Sequence, residues 1–477
     1  MEFIHVCPGS TKRPDKTWLH ILKKMKNLRL FTLFSLIIFG VIGCVGNSDK
    51  ATGKYSASEF KKISDDSLLS LVEYRTFQYF WDGAEPNSGM ARERFHVDGI
   101  YAENDMNVVT TGGSGFGLMA ILAGIKRGFI TRDEAFNRYS KILNFLEKAD
   151  RFHGAWPHWL YGETGNVKSF SKKDDGADIV ETAYLVQGLL AVHQYFINGS
   201  DQEKALAARI DTLWKEVEWN WFTKGGEPVI YWHWSPDFGW QMNNPVKGYN
   251  ECLILYVLAA SSPTFPVSSN VYHKGWARDG AIKEDHEKYG YVLSLNHDGS
   301  PEFGGPLFWA HYSYLGLDPR HLKDSYADYW HENVNQTLIN WQWCIRNPDK
   351  YAGYNKDCWG LSASYSVNGY AAHSPGENND LGVISPTAAL SSFPYTPEQS
   401  MAALKYFYYT LGSKIWGIYG FYDAFSEQKN WYPKRYLAID QGPVVIMIEN
   451  YRSGLIWDLF MSSPEIKNGL QKLGFSY

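Results

Sequence analysis

Apolar residues recur at helical spacing along most of this sequence, in about a dozen stretches that long loops separate. The first stretch, residues 67–81, places Leu68, Leu71 and Val72 on one face, as an amphipathic helix does. A chain that offers many helices and few strands is expected to fold as an all-α domain. Residues 228–233 alone are typical of a short strand. The predicted helices are residues 67–81, 117–127, 131–149, 179–196, 203–221, 250–260, 307–315, 321–346, 385–392, 398–411, 444–460 and 464–473.

Chain length and the lack of sequence repeats limit the possible helical architectures. The chain has 477 residues and no visible repeat of about 20–50 residues, which excludes a small disulfide scaffold and a regular solenoid. Two arrangements suit this pattern: helical hairpins closed into a ring, and an irregular helical bundle. The loops between the helices are long and rich in Gly, Asn, Trp and His, which is typical of loops that carry function.

Aromatic residues make up 16% of the chain, with 19 Trp, 32 Tyr and 26 Phe. Many of them stand beside polar residues, as in segments 232–236 and 308–312. Aromatic faces with a polar rim suit the apolar faces of sugar rings, so a polysaccharide or oligosaccharide partner is favoured. The alternative is that these rings fill a large helical core. The net charge is −5 without a basic stripe, so we expect no nucleic-acid partner.

The first 44 residues are typical of a targeting segment. A basic stretch precedes a 14-residue apolar run, residues 30–43, which ends at Cys44. The sequence 41–44, Val-Ile-Gly-Cys, is similar to a bacterial lipobox, in which the cysteine carries the lipid. An ordinary signal peptide is the alternative, and Met25 fits the start better than Met1. We therefore predict a signal segment (1–44), a tether (45–59) and one folded domain (60–477) of a monomeric cell-envelope lipoprotein, periplasmic or outer-membrane anchored.

Acidic residues mark three junctions between a loop and a predicted helix. Asp174, Asp178 and Glu181 surround the start of helix 179–196. Helix capping explains any single aspartate there. Glu181, however, precedes an apolar run, and a carboxylate in such surroundings needs partners or a function.

The other two junctions carry one acid each. Glu251 comes directly before an apolar helix, where desolvation raises the pKa of a carboxyl group toward the range that a general acid needs. Asp440 stands among apolar residues just before Gly442-Pro443. Capping accounts for either residue equally well. A glycosidase needs two carboxyl groups across the scissile bond. A helical ring brings junctions between loops and helices to one end, so the three acidic junctions together indicate a glycosidase.

Other chemistries fit the sequence less well. No His-Glu-x-x-His zinc motif is present, and the glycine-rich segment 112–116 lacks the last glycine of a nucleophile elbow. We expect that segment to allow a loop and a helix to approach closely. Cys252, Cys344 and Cys358 have no metal-type spacing, and we predict no disulfide and no metal site.

At these residues the chain resembles the bacterial glucoamylase-like family, in particular the endo-β-1,2-glucanases of glycoside hydrolase family 144. The resemblance covers most of residues 60–477. The segments that carry it are Asp174-x-x-x-Asp178-x-x-Glu181-Thr-Ala, Gly248-Tyr-Asn-Glu251, Phe303-Gly-Gly-Pro-Leu-Phe-Trp-Ala-His-Tyr-Ser-Tyr-Leu-Gly-Leu-Asp-Pro-Arg320 and Ala438-Ile-Asp440-Gln-Gly-Pro.

The resemblance implies an (α/α)6 barrel with its active site in a cleft at one end. It implies hydrolysis within linear β-1,2-glucan chains, with inversion and without a cofactor, which releases sophoro-oligosaccharides. Glu251 falls at the family's general-acid position, and Asp440 falls at the carboxylate that we assign as the base. Asp178 and Glu181 compete for that second role. The residues that we expect to bind substrate are Asp174, Trp156, His158, Trp234, Tyr249, Asn250, Trp309, His311, Tyr312, Trp359, Tyr365 and Gln441.

Two other functions remain open at this point. One is a hydrolase or lyase of another glycan on the same ring of helices; a lyase relies on Tyr and His rather than on a carboxylate pair. The other is a lipoprotein that binds glycans without turnover. Loss of hydrolysis on Glu251→Gln separates a hydrolase from a lyase, and any turnover excludes pure binding.

Overall fold

The described residues of this computed structural model are 60–101, 105–376 and 378–477. The predicted targeting segment, the tether and Cys44 lie outside them. Within the described ranges, no helix is long and apolar enough to cross a bilayer. The helices are α1 (Asp65–Trp81), α2 (Thr111–Arg127), α3 (Arg132–Leu146), α4 (Ile179–Phe196), α5 (Asp201–Lys215), α6 (Leu253–Ser261), α7 (Ser269–Val271), α8 (Tyr329–Arg346), α9 (Pro386–Leu390), α10 (Pro397–Lys405), α11 (Gly412–Ile415), α12 (Ala438–Ser453), α13 (Leu455–Ser462) and α14 (Pro464–Leu473).

Buried helices alternate along the chain with helices that expose one face. The buried helices α2, α4, α6, α9 and α12 form an inner layer. Two 3₁₀ turns, Leu307–Ala310 and Ser313–Leu315, take the remaining inner position between α6 and α9. Helix α2 packs on both α4 and α12, which closes the layer into a ring. The fold is therefore the (α/α)6 barrel, and the irregular bundle is excluded.

Two consecutive helices close one end of the ring. Helices α13 and α14 follow α12 and pack against α4 and α6. The indole N–H of Trp457 donates to the carbonyl of Tyr314 over 2.8 Å, and Gly469 lies against Ser261, the last residue of α6. Because these contacts cover the C-terminal ends of inner helices, the N-terminal ends form the open face.

Short antiparallel strands hold several of those open N-terminal ends in place. The strands β2, β5 and β13 lead directly into α2, α4 and α12. The pairs are β1 with β13, β2 with β3, β3 with β4, β5 with β6, β7 with β8, β9 with β10, and β11 with β12. Their bounds are β1 (Arg94–His96), β2 (Val108–Thr110), β3 (Trp159–Tyr161), β4 (Val167–Lys168), β5 (Ala177–Asp178), β6 (His233–Trp234), β7 (Lys283–Lys288), β8 (Tyr291–Leu295), β9 (Ala363–Ser366), β10 (Gly369–Ala372), β11 (Trp416–Gly417), β12 (Gly420–Phe421) and β13 (Arg435–Leu437).

The glycine-rich segment 112–116 lies in the first turns of α2 rather than in a loop. A Cβ atom on Gly115 would lie 2.2 Å from the carbonyl oxygen of Tyr184 in α4. The predicted close approach is therefore confirmed, but it joins two helices. It also explains why the predicted start of this helix at residue 117 was late: glycine has low helix propensity, and here packing outweighs it.

Other helix boundaries differ where a local signal was misread. The predicted helix 444–460 is two helices, because Gly454 adopts a left-handed conformation with φ of 72° between α12 and α13. The predicted helix 307–315 is the pair of 3₁₀ turns, and the predicted strand 228–233 survives only at His233. The thiols of Cys252, Cys344 and Cys358 are buried and free, as predicted.

Candidate active site

The three acidic junctions predicted from the sequence lie at the open end of the ring of helices. Asp178 caps α4, and Glu181 lies in the first turn of that helix. Glu251 lies two residues before α6, and Asp440 lies in the first turn of α12. The amide of Gly112, at the start of α2, donates to Oε2 of Glu181 over 2.8 Å, which ties neighbouring inner helices together. The predicted convergence is therefore present.

Asp178 is fully buried, and both of its carboxylate oxygens are engaged. Oδ1 accepts from the amides of Val180 and Glu181 over 3.0 and 2.9 Å, and Oδ2 is 2.9 Å from Nδ1 of His158. Burial alone would raise the pKa of Asp178, but the hydrogen bond from His158 and its charge hold that pKa below the ordinary value. Asp178 is therefore ionised and has no free oxygen. Its carboxylate positions α4 and His158, and it is poorly suited to act as a base.

The surroundings of His158 form a compact charge cluster. Burial would lower the pKa of His158, but the charges of Glu181, Asp178 and Asp174 raise it to about 9, so the ring is cationic at neutral pH. Burial and the charge of Asp178 raise the pKa of Asp174 to about 7. His233 lies 3.5 Å from Asp174, and burial lowers the pKa of His233 to about 4. One cationic imidazole, that of His158, thus faces several acids at the open end of the barrel.

His158, Asp174 and Asp178 each place one donor atom within 4.8 Å of the others, a spacing that suits a metal ion. One imidazole and two carboxylates form an acceptable donor set for several divalent metals. A histidine ligand must be neutral, however, and the acids around His158 stabilise its protonated form. The imidazolium itself neutralises the carboxylates, and the absence of a metal stays a prediction.

Glu251 is half-buried beside this cluster. Its carbonyl accepts from the hydroxyls of Ser313 over 2.5 Å and Tyr184 over 3.3 Å, which fixes the backbone at this position. Burial raises the pKa of Glu251 to about 7, with further contributions from Asp298 and Glu181. A carboxyl group that holds its proton near neutral pH has the property that a general acid requires.

Asp440 is paired with a second carboxyl group, Asp423, which the sequence analysis missed. Both side chains are buried and line one small cavity between α9 and α12. Neither Oδ1 of Asp423 nor Oδ2 of Asp440 meets a hydrogen-bond donor among the described residues, and the two carboxyl groups are near enough for each to shift the pKa of the other. Burial and the charge of Asp423 raise the pKa of Asp440 well above its ordinary value, and burial raises that of Asp423 to about 6. The pair therefore shares one proton at neutral pH.

Glu93 is another acid of this end of the ring that sequence reasoning missed. It lies directly before β1 and forms an ion pair with Arg94. Burial raises the pKa of Glu93, and its charge in turn acts on Asp423 and Asp440. The alternating charges of residues 92–94 are the one local signal, and they are common on exposed strands. The pairing of β1 with β13 brings Glu93 near the other acids. Local sequence does not show that pairing, so no sequence pattern predicted the position of Glu93.

Four predicted substrate contacts are core residues in this structure. The side chains of Trp156, Tyr249, His311 and Trp359 are at most 1% exposed. The indole of Trp156 donates to the carbonyl of residue 146, the hydroxyl of Tyr249 donates to residue 333, and His311 is 3.0 Å from the hydroxyl of residue 392. Their polar atoms are satisfied inside the ring, so their aromatic surroundings reflect packing rather than sugar binding.

Two further predicted contacts stabilise the backbone instead. Oδ1 of Asn250 accepts from the amide of Cys252 over 3.0 Å at the start of α6. Nε2 of Gln441 donates to the carbonyl of Tyr419 over 3.0 Å. Both side chains are nearly buried and hold the chain beside Glu251 and Asp440, respectively. They are positioning residues in this conformation.

The other predicted contacts lie where substrate can reach them or close to the acids. His158, Trp234 and Trp309 are partly exposed. The hydroxyl of Tyr312 has no hydrogen-bond partner among the described residues, and it lies within the electrostatic reach of the acids from α4, α6 and α12. The hydroxyl of Tyr365 is 3.0 Å from Nε2 of His96. The candidates that remain are Asp174, His158, Trp234, Trp309, Tyr312 and Tyr365.

An (α/α)6 barrel whose open end gathers carboxyl groups of different protonation has the arrangement that a glycoside hydrolase requires. Comparison with known proteins agrees. A family described as "Putative glucoamylase" matches residues 243–464, and a protein family of unknown function, DUF3131, matches residues 74–193. The chain belongs to the bacterial glucoamylase-like family of the endo-β-1,2-glucanases, glycoside hydrolase family 144, because it is 66% identical to a solved endo-β-1,2-glucanase and covers 99% of that chain.

Individual relatives are similar over most of the chain. The structure of an endo-β-1,2-glucanase from Chitinophaga pinensis, in complex with sophorotriose and glucose, is 66% identical, with a TM-score of 0.86 over 87% of this chain and 99% of that one. A β-1,2-glucanase structure from Parabacteroides distasonis is 45% identical, with a TM-score of 0.82 over 87% of this chain and 60% of the other. An exo-β-1,2-glucooligosaccharide sophorohydrolase (non-reducing end) from the same organism is 46% identical over 426 residues, which are 86% of this chain. The chain spans 58% of the length of that curated relative.

Proposed function

We propose that this protein hydrolyses β-1,2-glucan, with Glu251 as the general acid. The observation that carries the proposal is the half-buried Glu251 carboxyl group, whose pKa is raised to about 7, at the end of the ring where the other acids converge. In its protonated form, Glu251 donates its proton to the glycosidic oxygen as the bond to the leaving sugar breaks. The linkage rests on the relatives, which are named for β-1,2-glucans.

The base of this proposal is the Asp423–Asp440 pair, which holds one proton between its two carboxyl groups near neutral pH. Asp178 is the weakest competitor because both of its oxygens are engaged. One carboxylate oxygen of Glu181 accepts a hydrogen bond from the amide of Gly112. The Asp423–Asp440 pair already holds one proton, and the pKa of about 6 at Asp423 allows it to take up a second, from the attacking water, near neutral pH. Inversion at the anomeric carbon follows if that water attacks directly.

The mode of attack is within the chain, with release of sophoro-oligosaccharides. The endo-acting relative is the more similar one, and this chain covers 99% of its length, whereas it covers 58% of the exo-acting relative. Early products from long linear β-1,2-glucan should therefore span several lengths, and proton NMR should detect the inverted anomer first. Early release of sophorose alone would overturn the endo mode, and initial retention would overturn the base.

Asp423→Asn should lower the rate of β-1,2-glucan hydrolysis near neutral pH. The pair takes up the proton of the attacking water with a pKa of about 6 at Asp423, and an amide at this position cannot take up that proton. Initial rates of reducing-end release between pH 4 and 8 measure the loss. The exposed Asp285→Asn is the control and should keep the full rate. An unchanged rate and an unchanged acidic limb in Asp423→Asn would remove the pair from the reaction.

A further inference from the structure

A groove of about 720 Å³ opens beside the acid pair, and of its lining residues only Tyr365 is among the substrate contacts named above. Its volume lies within the range of small-molecule sites. Three segments form its walls: the residues after β1, the β9–β10 hairpin, and the residues that enter β13. The lining side chains with polar or aromatic character include Asp98, Tyr365, Ser366, Trp431, Tyr432 and Arg435.

The groove is built from groups that suit a neutral sugar. The guanidinium of Arg435 lies 5.3 Å from the centre of the Tyr365 ring, and no carboxylate of the described residues forms an ion pair with it. Trp431 is partly exposed, and its indole N–H meets no acceptor in the described part of the chain. Aromatic faces and free N–H donors together recognise the apolar faces and the hydroxyl groups of glucose units.

The groove adjoins the acid pair through the wall that carries Tyr365. Arg435 begins β13, which runs directly into α12 and so to Asp440. The amide of Tyr365, on the groove wall, donates to Oδ2 of Asp423 over 2.7 Å. Tyr370 pairs with Tyr365 across the hairpin, and its hydroxyl lies within the electrostatic reach of both acids of the pair. The wall formed by Tyr365 therefore separates a ligand in the groove from the buried acid pair by a single residue.

We propose that this groove is an additional subsite for glucose units of a β-1,2-glucan chain, remote from the scissile bond, with Trp431 and Arg435 as its main contacts. The inference rests on the proposed function, because the same chain would extend from the acids into the groove. A remote subsite adds binding only for substrates long enough to reach it. Long chains are then preferred over short oligosaccharides.

The test compares Trp431→Ala and Arg435→Ala with the unchanged protein on long β-1,2-glucan and on short sophoro-oligosaccharides. We expect the ratio of kcat/KM for long over short substrate to fall about tenfold in each variant, the size of one lost contact of about 1.4 kcal/mol. The control Tyr451→Ala removes an exposed ring at the C-terminal end of α12, near the closed end, and should leave the ratio unchanged. An unchanged ratio in both groove variants would overturn the subsite.

A binding measurement separates this proposal from the proposed function. Calorimetry of long glucan with Glu251→Gln requires no turnover. We expect Trp431→Ala and Arg435→Ala, each added to that background, to weaken binding about tenfold. Turnover by the unchanged protein with equal binding by all variants would overturn the groove alone. Absence of both turnover and glucan binding would overturn the proposed function and the groove with it.

Discussion

Glu251→Gln is expected to lower the rate of β-1,2-glucan hydrolysis by a factor of about 10²–10⁴, the usual contribution of a general acid. Glutamine keeps the size of the side chain but cannot donate the proton that the departing glycosidic oxygen requires. Initial rates of reducing-end release measure the loss. The control is Glu398→Gln, which changes an exposed glutamate in the first turn of the outer helix α10 and should keep the full rate.

The pH dependence gives the same prediction a second readout. A general acid works in its protonated form, which is present below its pKa and disappears above it. Because burial raises the pKa of Glu251 to about 7, activity should fall as the pH rises through about 7. Glu251→Gln should lose this alkaline limb in whatever rate remains. An aryl glycoside whose leaving group needs little protonation should be affected much less. Retention of the alkaline limb by the variant would assign it to another residue.

Arg127→Met is expected to lower the free energy of unfolding by about 3–5 kcal/mol, the cost of breaking a buried ion pair by removing one partner. The Arg127 guanidinium makes two hydrogen bonds to Glu449, of 2.5 and 2.8 Å, and lies 3.7 Å from Glu73. Both glutamates are fully buried between α1, α2 and α12. Methionine fills much of the space but leaves two buried carboxyl groups to the one remaining cation, Arg452.

The sign of the pH dependence follows from the glutamates. Burial, with the neighbouring Glu449, raises the pKa of Glu73 well above its ordinary value. The folded state therefore tolerates the protonated form better, and the deficit of Arg127→Met should shrink as the pH falls from 7 to 5. Urea unfolding at both pH values measures it. The control Arg209→Met breaks an exposed pair with Glu147 and should cost less than about 1 kcal/mol. Equal costs for the two variants would contradict the account of the buried cluster.

Much of the ring of helices could be predicted from the sequence, because apolar residues recur at helical spacing in both its inner and its outer helices. The helix at 179–196 was predicted with its observed bounds, and the helix predicted from residue 131 begins at residue 132, where Thr131 and Glu134 form a capping box. The inner position at 307–315 was predicted as a helix, since an apolar run does not distinguish an α-helix from successive 3₁₀ turns. Which helices are neighbours depends on contacts such as that of Gly115 with α4, and local sequence does not encode these.

The candidate site was predictable only where acids stand at helix starts. Glu251 and Asp440 had that local signal, whereas Asp423 and Glu93 lie on short irregular segments that pairing with distant residues brings into place. Aromatic context was a poor guide, because Trp156 and Trp359 stand in polar stretches and are nevertheless fully buried. A buried tryptophan needs only one acceptor for its N–H, and a nearby carbonyl supplies it.

The most direct test of the central claim is a comparison of linear β-1,2-glucan with β-1,3-glucan, starch and cellulose oligomers as substrates. New reducing ends and product sizes are followed for the unchanged protein and for Glu251→Gln. The account predicts release of short oligosaccharides from β-1,2-glucan alone, and loss of that release in the variant. Equal release by the variant, or cleavage of another glucan in preference to β-1,2-glucan, would contradict it.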